Sequence, residues 1–289
     1  MSDVSIIIQG PLNEISLKNI PTYKKYGKVI VSCWNGYDKK LLKYIDDDVL
    51  LVRNDLMKVE HYNRHNIYYQ AFTTHAGLEK SETKFSIKVR SDESYSSLDV
   101  FVKALNENPK CVITGDIYFF GEDAKFHISD HVIGGKTKNL LGAFGIAKDI
   151  CETTPSNVGL SIRASAEWLQ PASPEALIML SFLQQINAIN NILLFSTLYA
   201  TVAPSTVTVD SCDILRIIAG YDIAQCSVEL IKNHARIVST ACMGDVFLNT
   251  RDQAPLIHGR LIKSGSEELL CTRAYGETFS DIEVRDINK

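Results

Sequence analysis

The chain has 289 residues, of which 45% are hydrophobic and 22% charged, and its formal net charge is −4. Such a length buries a substantial core, and the composition is that of an ordinary globular protein. The slight acidity excludes a general electrostatic attraction to nucleic acid. Cys33, Cys111, Cys151, Cys212, Cys226, Cys242 and Cys271 are widely spaced, with no Cys-x-x-Cys pair. This pattern predicts reduced, mostly buried thiols rather than a disulfide framework or a zinc knuckle. The Met-Ser-Asp-Val start lacks the basic and apolar regions of a signal peptide. The most apolar later stretch, Ala176 to Ala203, carries Gln184, Gln185, Asn187, Asn190 and Asn191, too many amides for a membrane span. A cytoplasmic protein, free or peripheral to the membrane, is the expectation.

The first 120 residues alternate strand-like and helix-like runs. Val4–Ile8 is a short apolar run suited to a buried parallel strand, and it stops at Gln9-Gly10-Pro11. Val29–Cys33 follows, ending at Trp34-Asn35-Gly36, and Val49–Arg53 ends at Asn54-Asp55. Asn63 and Arg64 open a helical stretch in which Ile67, Ala71, Thr74 and Leu78 recur at helical spacing. Phe85–Val89 is a fourth strand, Leu98–Asn106 a helix, and Cys111–Thr114 and Ile117–Phe120 two more strands. Such alternation predicts βαβ units and an α/β fold with an open, mainly parallel sheet. In the second half, Lys138–Cys151 and Pro174–Leu194 look helical, and no linker separates the halves. One compact unit over 1–289 is expected, with a nucleotide-binding half (1–120) and a mostly helical acceptor-side half (121–289) covering the crevice.

The stretch Lys84–Tyr95 carries the sharpest chemical signal. Its strand ends abruptly in Arg90, Ser91, Asp92 and Glu93. Ligands of open α/β sheets bind outside the carboxyl ends of the strands. Adjacent carboxylates there, with a cation beside them, suit a hard divalent metal and the phosphates it bridges. Lys88 and Arg90 alternate with Ile87 and Val89 and so point to one face, where charges are costly unless paired. A charged turn after a strand is the plainer reading of the same residues.

Taken together, these residues resemble the WavE lipopolysaccharide-synthesis family, glycosyltransferases with a GT-A-like fold. The likeness begins at Val4-Ser5-Ile6-Ile7-Ile8-Gln9-Gly10-Pro11 and continues at Val31-Ser32-Cys33-Trp34-Asn35-Gly36, where Cys33 is a mild departure. Asn63-Arg64, Gln70 and Gly77-Leu78 fit the helix before the acidic motif, and Lys88-Val89-Arg90-Ser91-Asp92-Glu93 is the most specific piece. Phe126-His127-Ile128-Ser129-Asp130-His131, Gly134-Gly135 and Ser173-Pro174-Glu175 follow in order.

The resemblance implies a GT-A-like, Rossmann-type fold and transfer of a sugar from a nucleotide-sugar donor to a glycan or glycolipid acceptor. It puts Gln9, Gly10 and Pro11 in the nucleotide slot and Asn63, Arg64 and Arg90 near the phosphates. For Asn63 and Arg64 a helix cap and a solvent-facing cation are the plainer alternatives. Asp92 stands in for the acidic motif as the contact to donor and metal, Mn²⁺ or Mg²⁺. There is no Asp-x-Asp, so metal dependence is open. Asp130 and Glu175 are the catalytic candidates, Asp130 for hydroxyls and Glu175 for the base, with Glu167 a rival. A turn aspartate and a helix-dipole glutamate are the plainer readings of those two. His127, His234 and His258 are read as structural or exposed. Two other functions compete: a nucleotidyltransferase activating a sugar phosphate, and a binding module on a decayed transferase fold. The first usually needs a basic Gly-rich loop after the first strand, which Gln9-Gly10-Pro11-Leu12-Asn13 is not. The second should have lost its polar strand tips, and these are retained.

Overall fold

The structure is a computed structural model that describes residues 3–55, 62–117, 126–156, 158–163, 169–171, 173–189, 194–198, 213–216, 230–231, 233–238, 243–244, 246–248, 255–257 and 260–261. Glu167, His258, Cys212, Cys226, Cys242, Cys271 and most of the strand expected at 117–120 lie outside the described residues.

In chain order the first elements are β1 (Val4–Gln9), α1 (Glu14–Leu17), α2 (Ile20–Tyr23), β2 (Lys28–Trp34) and β3 (Leu50–Asn54). They are followed by α3 (Ile67–Leu78), β4 (Phe85–Arg90), β5 (Glu93–Tyr95), α4 (Asp99–Glu107), β6 (Val112–Gly115), β7 (Val132–Lys136) and α5 (Thr137–Thr153). Next come β8 (Val158–Arg163), β9 (Leu169–Pro171), α6 (Pro174–Gln185), β10 (Leu194–Leu198) and β11 (Asp213–Arg216). The last strands are β12 (Ala235–Val238), β13 (Val246–Leu248), β14 (Pro255–Ile257) and β15 (Arg260–Leu261).

The main sheet has seven strands in the order β12-β6-β7-β4-β1-β2-β3. All neighbours run parallel except β7, which is antiparallel to both β4 and β6. The open, mainly parallel sheet expected from the alternating runs is therefore present. The sequence reading missed β7, whose Gly134-Gly135 pair weakens the strand signal. Gly134 is nevertheless fitted to its place, since a Cβ there would meet Phe101 Cε1 at 2.6 Å. Two short four-stranded sheets, β11-β10-β8-β9 and β15-β14-β13-β5, bring strands into the second half, which was expected to be mostly helical; the second of them reaches back to β5 of the first half.

Side-chain alternation along the strands builds a core on each face of the sheet. Ile7, Ile30 and Ile133 face α3, α5 and α6 in one cluster. Ile6, Ile8, Val29, Val31, Ile87 and Val89 join Leu17, Tyr23, Phe101 and Leu105 in the other. Each such aliphatic side chain stabilises the fold by about 1.5–3 kcal/mol on burial. This double burial is why β1 reads as an unbroken apolar run. Helix α5 packs on α3 and α6 on α5, so the helices of the second half thicken one face. Helix α6 ends at Gln185, well before the Leu194 expected from its apolar run. Among the described residues no helix is long and apolar enough to cross a membrane.

Helix α3 lies close on β1 and β2, and Gly77 permits it. A Cβ at Gly77 would meet Ile7 Cγ2 at 2.6 Å and Ser32 Cβ at 3.1 Å. Gly77→Val should therefore destabilise the protein by about 1–3 kcal/mol through overpacking. Urea denaturation measures it, and an unchanged midpoint would show that α3 does not depend on this close approach.

Candidate active site

The carboxyl ends of β1, β2 and β4 open into one cleft of about 670 Å³. Its lining includes Gln9, Gly10, Pro11, Trp34, Asn35, Tyr37, His65, Asn66, Tyr69, Gln70, Arg90, Ser91, Asp92 and Asp130. The chain turns into it at Gly10, whose φ of +125° is a region that L side chains avoid. A Cβ there would also lie 2.6 Å from Ser91 Oγ. Main-chain bonds from Gly10 N to Ser32 O and from Ser91 N to Gln9 O, 3.1 and 2.8 Å, lock the three strand tips together. Gln9 is buried and donates from Nε2 to Thr73 Oγ1 at 2.9 Å, and Thr73 in turn donates to the Tyr69 carbonyl at 2.7 Å.

One wall is aromatic and amide-rich. The Trp34 ring meets Tyr69 edge-on at 5.2 Å and stacks on Phe72 at 5.6 Å. His65 and Asn66 stand at the mouth of α3 with φ of 53° and 61°. Sequence reasoning did not single out His65, Asn66 or Tyr69, because left-handed backbone at two consecutive non-glycine residues has no compositional signal.

The opposite wall is ionic. Arg90 donates to both carboxylate oxygens of Asp92, Nε to Oδ1 at 3.0 Å and a terminal nitrogen to Oδ2 at 2.9 Å. Arg90 Nε also lies 3.0 Å from Glu93 Oε1. Glu93 turns inward, 1% exposed, where it accepts from the Tyr95 hydroxyl at 2.8 Å and pairs with His131 Nδ1. Burial opposes charge on Asp92, yet its bonds to Arg90 hold the carboxyl below the usual carboxylate range. Burial likewise opposes the charge on His131, and Glu93 outweighs it, raising the imidazole's basicity.

Asp130 lines the floor of the cleft and accepts from Gln70 Nε2 at 2.7 Å. Its own main-chain oxygen accepts from Lys88 Nζ, and Thr114 Oγ1 donates to the neighbouring Ser129 oxygen at 2.6 Å. Burial pushes the Asp130 carboxyl up, but Lys88, His131, Arg90 and the Gln70 bond together hold it well down. Glu175 sits in the first turn of α6, whose start is capped by Ser173 Oγ accepting from Ala176 N at 3.2 Å. Its Oε2 lies 3.5 Å from His127 Nε2. Burial first, and the charge of Asp130 second, push Glu175 up to about 6. Burial pushes His127 down to about 4, so this histidine is neutral at neutral pH.

The structure thus brings Gln9, Gly10, Pro11, Arg90, Asp92 and Asp130 to one cleft. Asn63 is elsewhere: its Oδ1 accepts from Tyr68 N at 3.1 Å and Tyr69 N at 3.4 Å, capping α3, which starts at Ile67 rather than at Asn63. Arg64 lies in the short 3₁₀ turn Arg64–Asn66, and its side chain is outside the described residues. Glu175 is not among the lining residues, although its carboxyl is close enough to feel Asp130. His234 is partly buried and stands apart from the cleft lining.

Both Asp92 oxygens accept from the Arg90 fork, and each keeps a second lone pair for a cation. Among the described residues no group of three His, Cys, Asp or Glu side chains is placed to hold a metal ion. Arg90 itself is the cation at the strand tips.

The fold and the cleft define an α/β protein with a preformed polar site at the carboxyl ends of its parallel strands. Residues 4–147 match the profile of the WavE family, described as lipopolysaccharide synthesis, and this half of the chain belongs to that family. No curated protein matches the sequence. Among solved structures, TarS of S. aureus is similar at 12% identity and a TM-score of 0.38, over 64% of this chain and 34% of that one. Glucosyl-3-phosphoglycerate synthase from Mycobacterium tuberculosis, solved with Mn²⁺, uridine diphosphate and phosphoglyceric acid, is similar at 11% identity and a TM-score of 0.33, over 51% of this chain and 62% of that one. HddC from Yersinia pseudotuberculosis is similar at 9% and 0.32, over 48% of this chain and 78% of that one. The chain spans about a third of the TarS chain and less than two thirds of the synthase.

The raised Glu175 carboxyl has a consequence for stability. The folded chain binds this proton more tightly than the unfolded chain does, so the contribution is intact below about 4.5 and is lost as pH rises through about 6. Glu175→Gln removes the cost of charging the group. It should raise stability by about 1–2 kcal/mol at pH 8 and leave it unchanged at pH 4. Denaturant midpoints at the two pH values check this; equal effects at both would mean that the glutamate is not held up by its surroundings.

Proposed function

We propose that this protein is a nucleotide-sugar-dependent glycosyltransferase of surface polysaccharide or lipopolysaccharide synthesis, and that the cleft holds its donor. The observation that carries this reading is the polar cleft at the tips of β1, β2 and β4, in a segment that belongs to a lipopolysaccharide-synthesis family. A cleft of about 670 Å³ is of the right size for a small organic ligand, and its polar groups converge from separate strands. Glycans or glycolipids are the acceptors on this reading, and nucleic acid is not a partner.

Transfer breaks the bond between the anomeric carbon and the diphosphate oxygen and forms one to an acceptor hydroxyl oxygen. The diphosphate departs with the bonding electron pair and gains negative charge. Arg90 is the group that meets it: a guanidinium matches phosphate oxygens in a two-point bond and gains by exchanging Asp92 for the leaving group. Gln9, with its amide nitrogen held by Thr73, offers its carbonyl to base or ribose. Asp92 contributes by orienting Arg90 and by accepting from donor hydroxyls. Asp130, held ionised at the cleft floor, accepts from sugar hydroxyls and balances positive charge at the anomeric carbon.

The acceptor proton goes to Glu175 on this reading. A base works best with a pKa near the working pH, and Glu175, at about 6, is better matched than Asp130. Two carboxylates pushed apart by their surroundings divide the work in this way. Each of these steps is carried by side chains of this chain; a divalent metal, when bound, would be held by Asp92 once Arg90 turns to the diphosphate, and would add charge to stabilise the leaving group.

A thermal-shift panel of nucleoside diphosphates and nucleotide sugars, with and without Mn²⁺, tests the reading directly. A true donor should raise the melting temperature in proportion to its occupancy. Silence across the panel would count against a nucleotide-sugar enzyme. Once a donor is found, Asp92→Asn should lower turnover by about 100-fold with the fold intact. Glu175→Gln should cut turnover while donor binding stays near normal. Full turnover in Glu175→Gln across the pH range would move the base elsewhere.

A further inference from the structure

Lys88 is a buried cation to which the transfer chemistry above assigns no contact. It lies at the centre of β4, paired in register with Ile7 of β1 and Ile133 of β7, and it is 0% exposed. Its flanking partners are the aliphatic residues that such a position calls for. An ammonium taken from water into this setting is costly unless a specific partner compensates it. That partner is the turn carrying Asp130: Lys88 Nζ donates to the main-chain oxygen of Asp130 itself. The same turn is held from two other sides. Gln70 of α3 binds the Asp130 carboxylate at 2.7 Å, and Thr114 of β6 binds the Ser129 oxygen at 2.6 Å.

We propose that Lys88 is a positioning residue that fixes the Asp130 turn from beneath and keeps its carboxylate at the cleft floor as an anion. This deepens the donor-site reading and rests on it for its purpose. An anion fixed at that end of the cleft rejects phosphate and attracts hydroxyls. The donor is thereby oriented with its diphosphate toward Arg90 and its sugar toward Asp130. Lysine is required because a methionine of similar length would leave the main-chain oxygen without its donor and the carboxylate without its largest compensating charge.

The charged and titratable groups that face Asp130 are Lys88, Arg90, His131, His127 and Glu175. Those that face Lys88 are Asp130, Arg90, Glu93 and Asp92. Burial pushes Lys88 down to about 8, which leaves it charged at neutral pH and below. Arg90 and His131 also favour the Asp130 anion, so the contribution of Lys88 has to be separated by substitution.

The full-length protein is labelled with [4-¹³C]aspartate, and the Asp130 signal is identified by its loss in Asp130→Asn. Its chemical shift is followed from about pH 1.5 to pH 8 without ligand. In the wild type the carboxyl should titrate below pH 3, under the ordinary aspartate value of about 3.9. In Lys88→Met the step should move up by at least one pH unit. A wild-type step at pH 3 or above, or a step that Lys88→Met leaves in place, overturns the proposal. Should Lys88→Met fail to fold, the wild-type titration still decides, together with Gln70→Met, which removes a bond to the same carboxylate and should shift the step upward by less than one unit. An unmoved step in Gln70→Met would overturn the proposed anchoring. This measurement needs no nucleotide, so its outcome is independent of the thermal-shift panel. A normal panel with an unperturbed Asp130 sinks only the positioning role, and a silent panel with a perturbed Asp130 sinks only the donor-site reading.

Discussion

The site depends on one constraint: four titratable side chains are taken out of water beneath the cleft, beside a half-buried arginine, and none can be left unpaired. Lys88 and the half-buried Arg90 come from β4, Glu93 from β5, and Asp130 and His131 from the turn before β7. Each ion alone would cost several kcal/mol to bury. Together they satisfy one another: Glu93 between Arg90, His131 and Tyr95, and Asp130 between Lys88 and Gln70. The geometry of the cleft floor follows from that mutual compensation. No member can move far without exposing another to an apolar wall, so the carboxylates are preorganised before any ligand arrives.

The antiparallel strand β7 is what makes this closure work. It places His131 at the tip of β4, because β4 and β7 pair with Val89 opposite Val132. A parallel strand would have brought the other end of the segment there, and with it Lys136 rather than His131. Strand β5 contributes in the same way, turning Glu93 inward while Asp92 remains on the cleft wall. Two adjacent acidic residues thus serve different ends: one links the strand tip to the core and the other faces the ligand space.

Much of the frame was legible in the sequence, and the reasons are local. Val4–Ile8, Val29–Cys33 and Phe85–Val89 are apolar runs ended by glycine, amide or charge, and each became a strand of the parallel sheet. The polar ends of these runs told which residues meet, so Gln9, Gly10, Pro11, Arg90 and Asp92 were found from order alone. What was not legible depends on contacts distant in sequence. The roles of Glu93 and Lys88 are set by partners some forty residues away, His131 and Asp130. Asn63 has the composition of both a phosphate ligand and a cap, and only the bonds to Tyr68 N and Tyr69 N separate the two. Tyr69 and Trp34 meet because α3 packs across β2, a geometry that the small Gly77 permits but does not announce.

The two walls of the cleft differ in how they are stabilised. The ionic wall is fixed by charge pairing and is anchored to the centre of the sheet. The opposite wall rests on the mouth of α3, where His65 and Asn66 adopt left-handed backbone that costs about 1–2 kcal/mol per residue. Asn63 offsets part of this by capping two main-chain amides of α3. The aromatic contacts of Trp34 with Tyr69 and Phe72 hold the same helix start against β2. Strained backbone of this kind persists only where its neighbours over-determine it, and these bonds and ring contacts do so here. Both walls are thus fixed before a ligand enters, one by charge pairing and the other by ring contacts and a capped helix start.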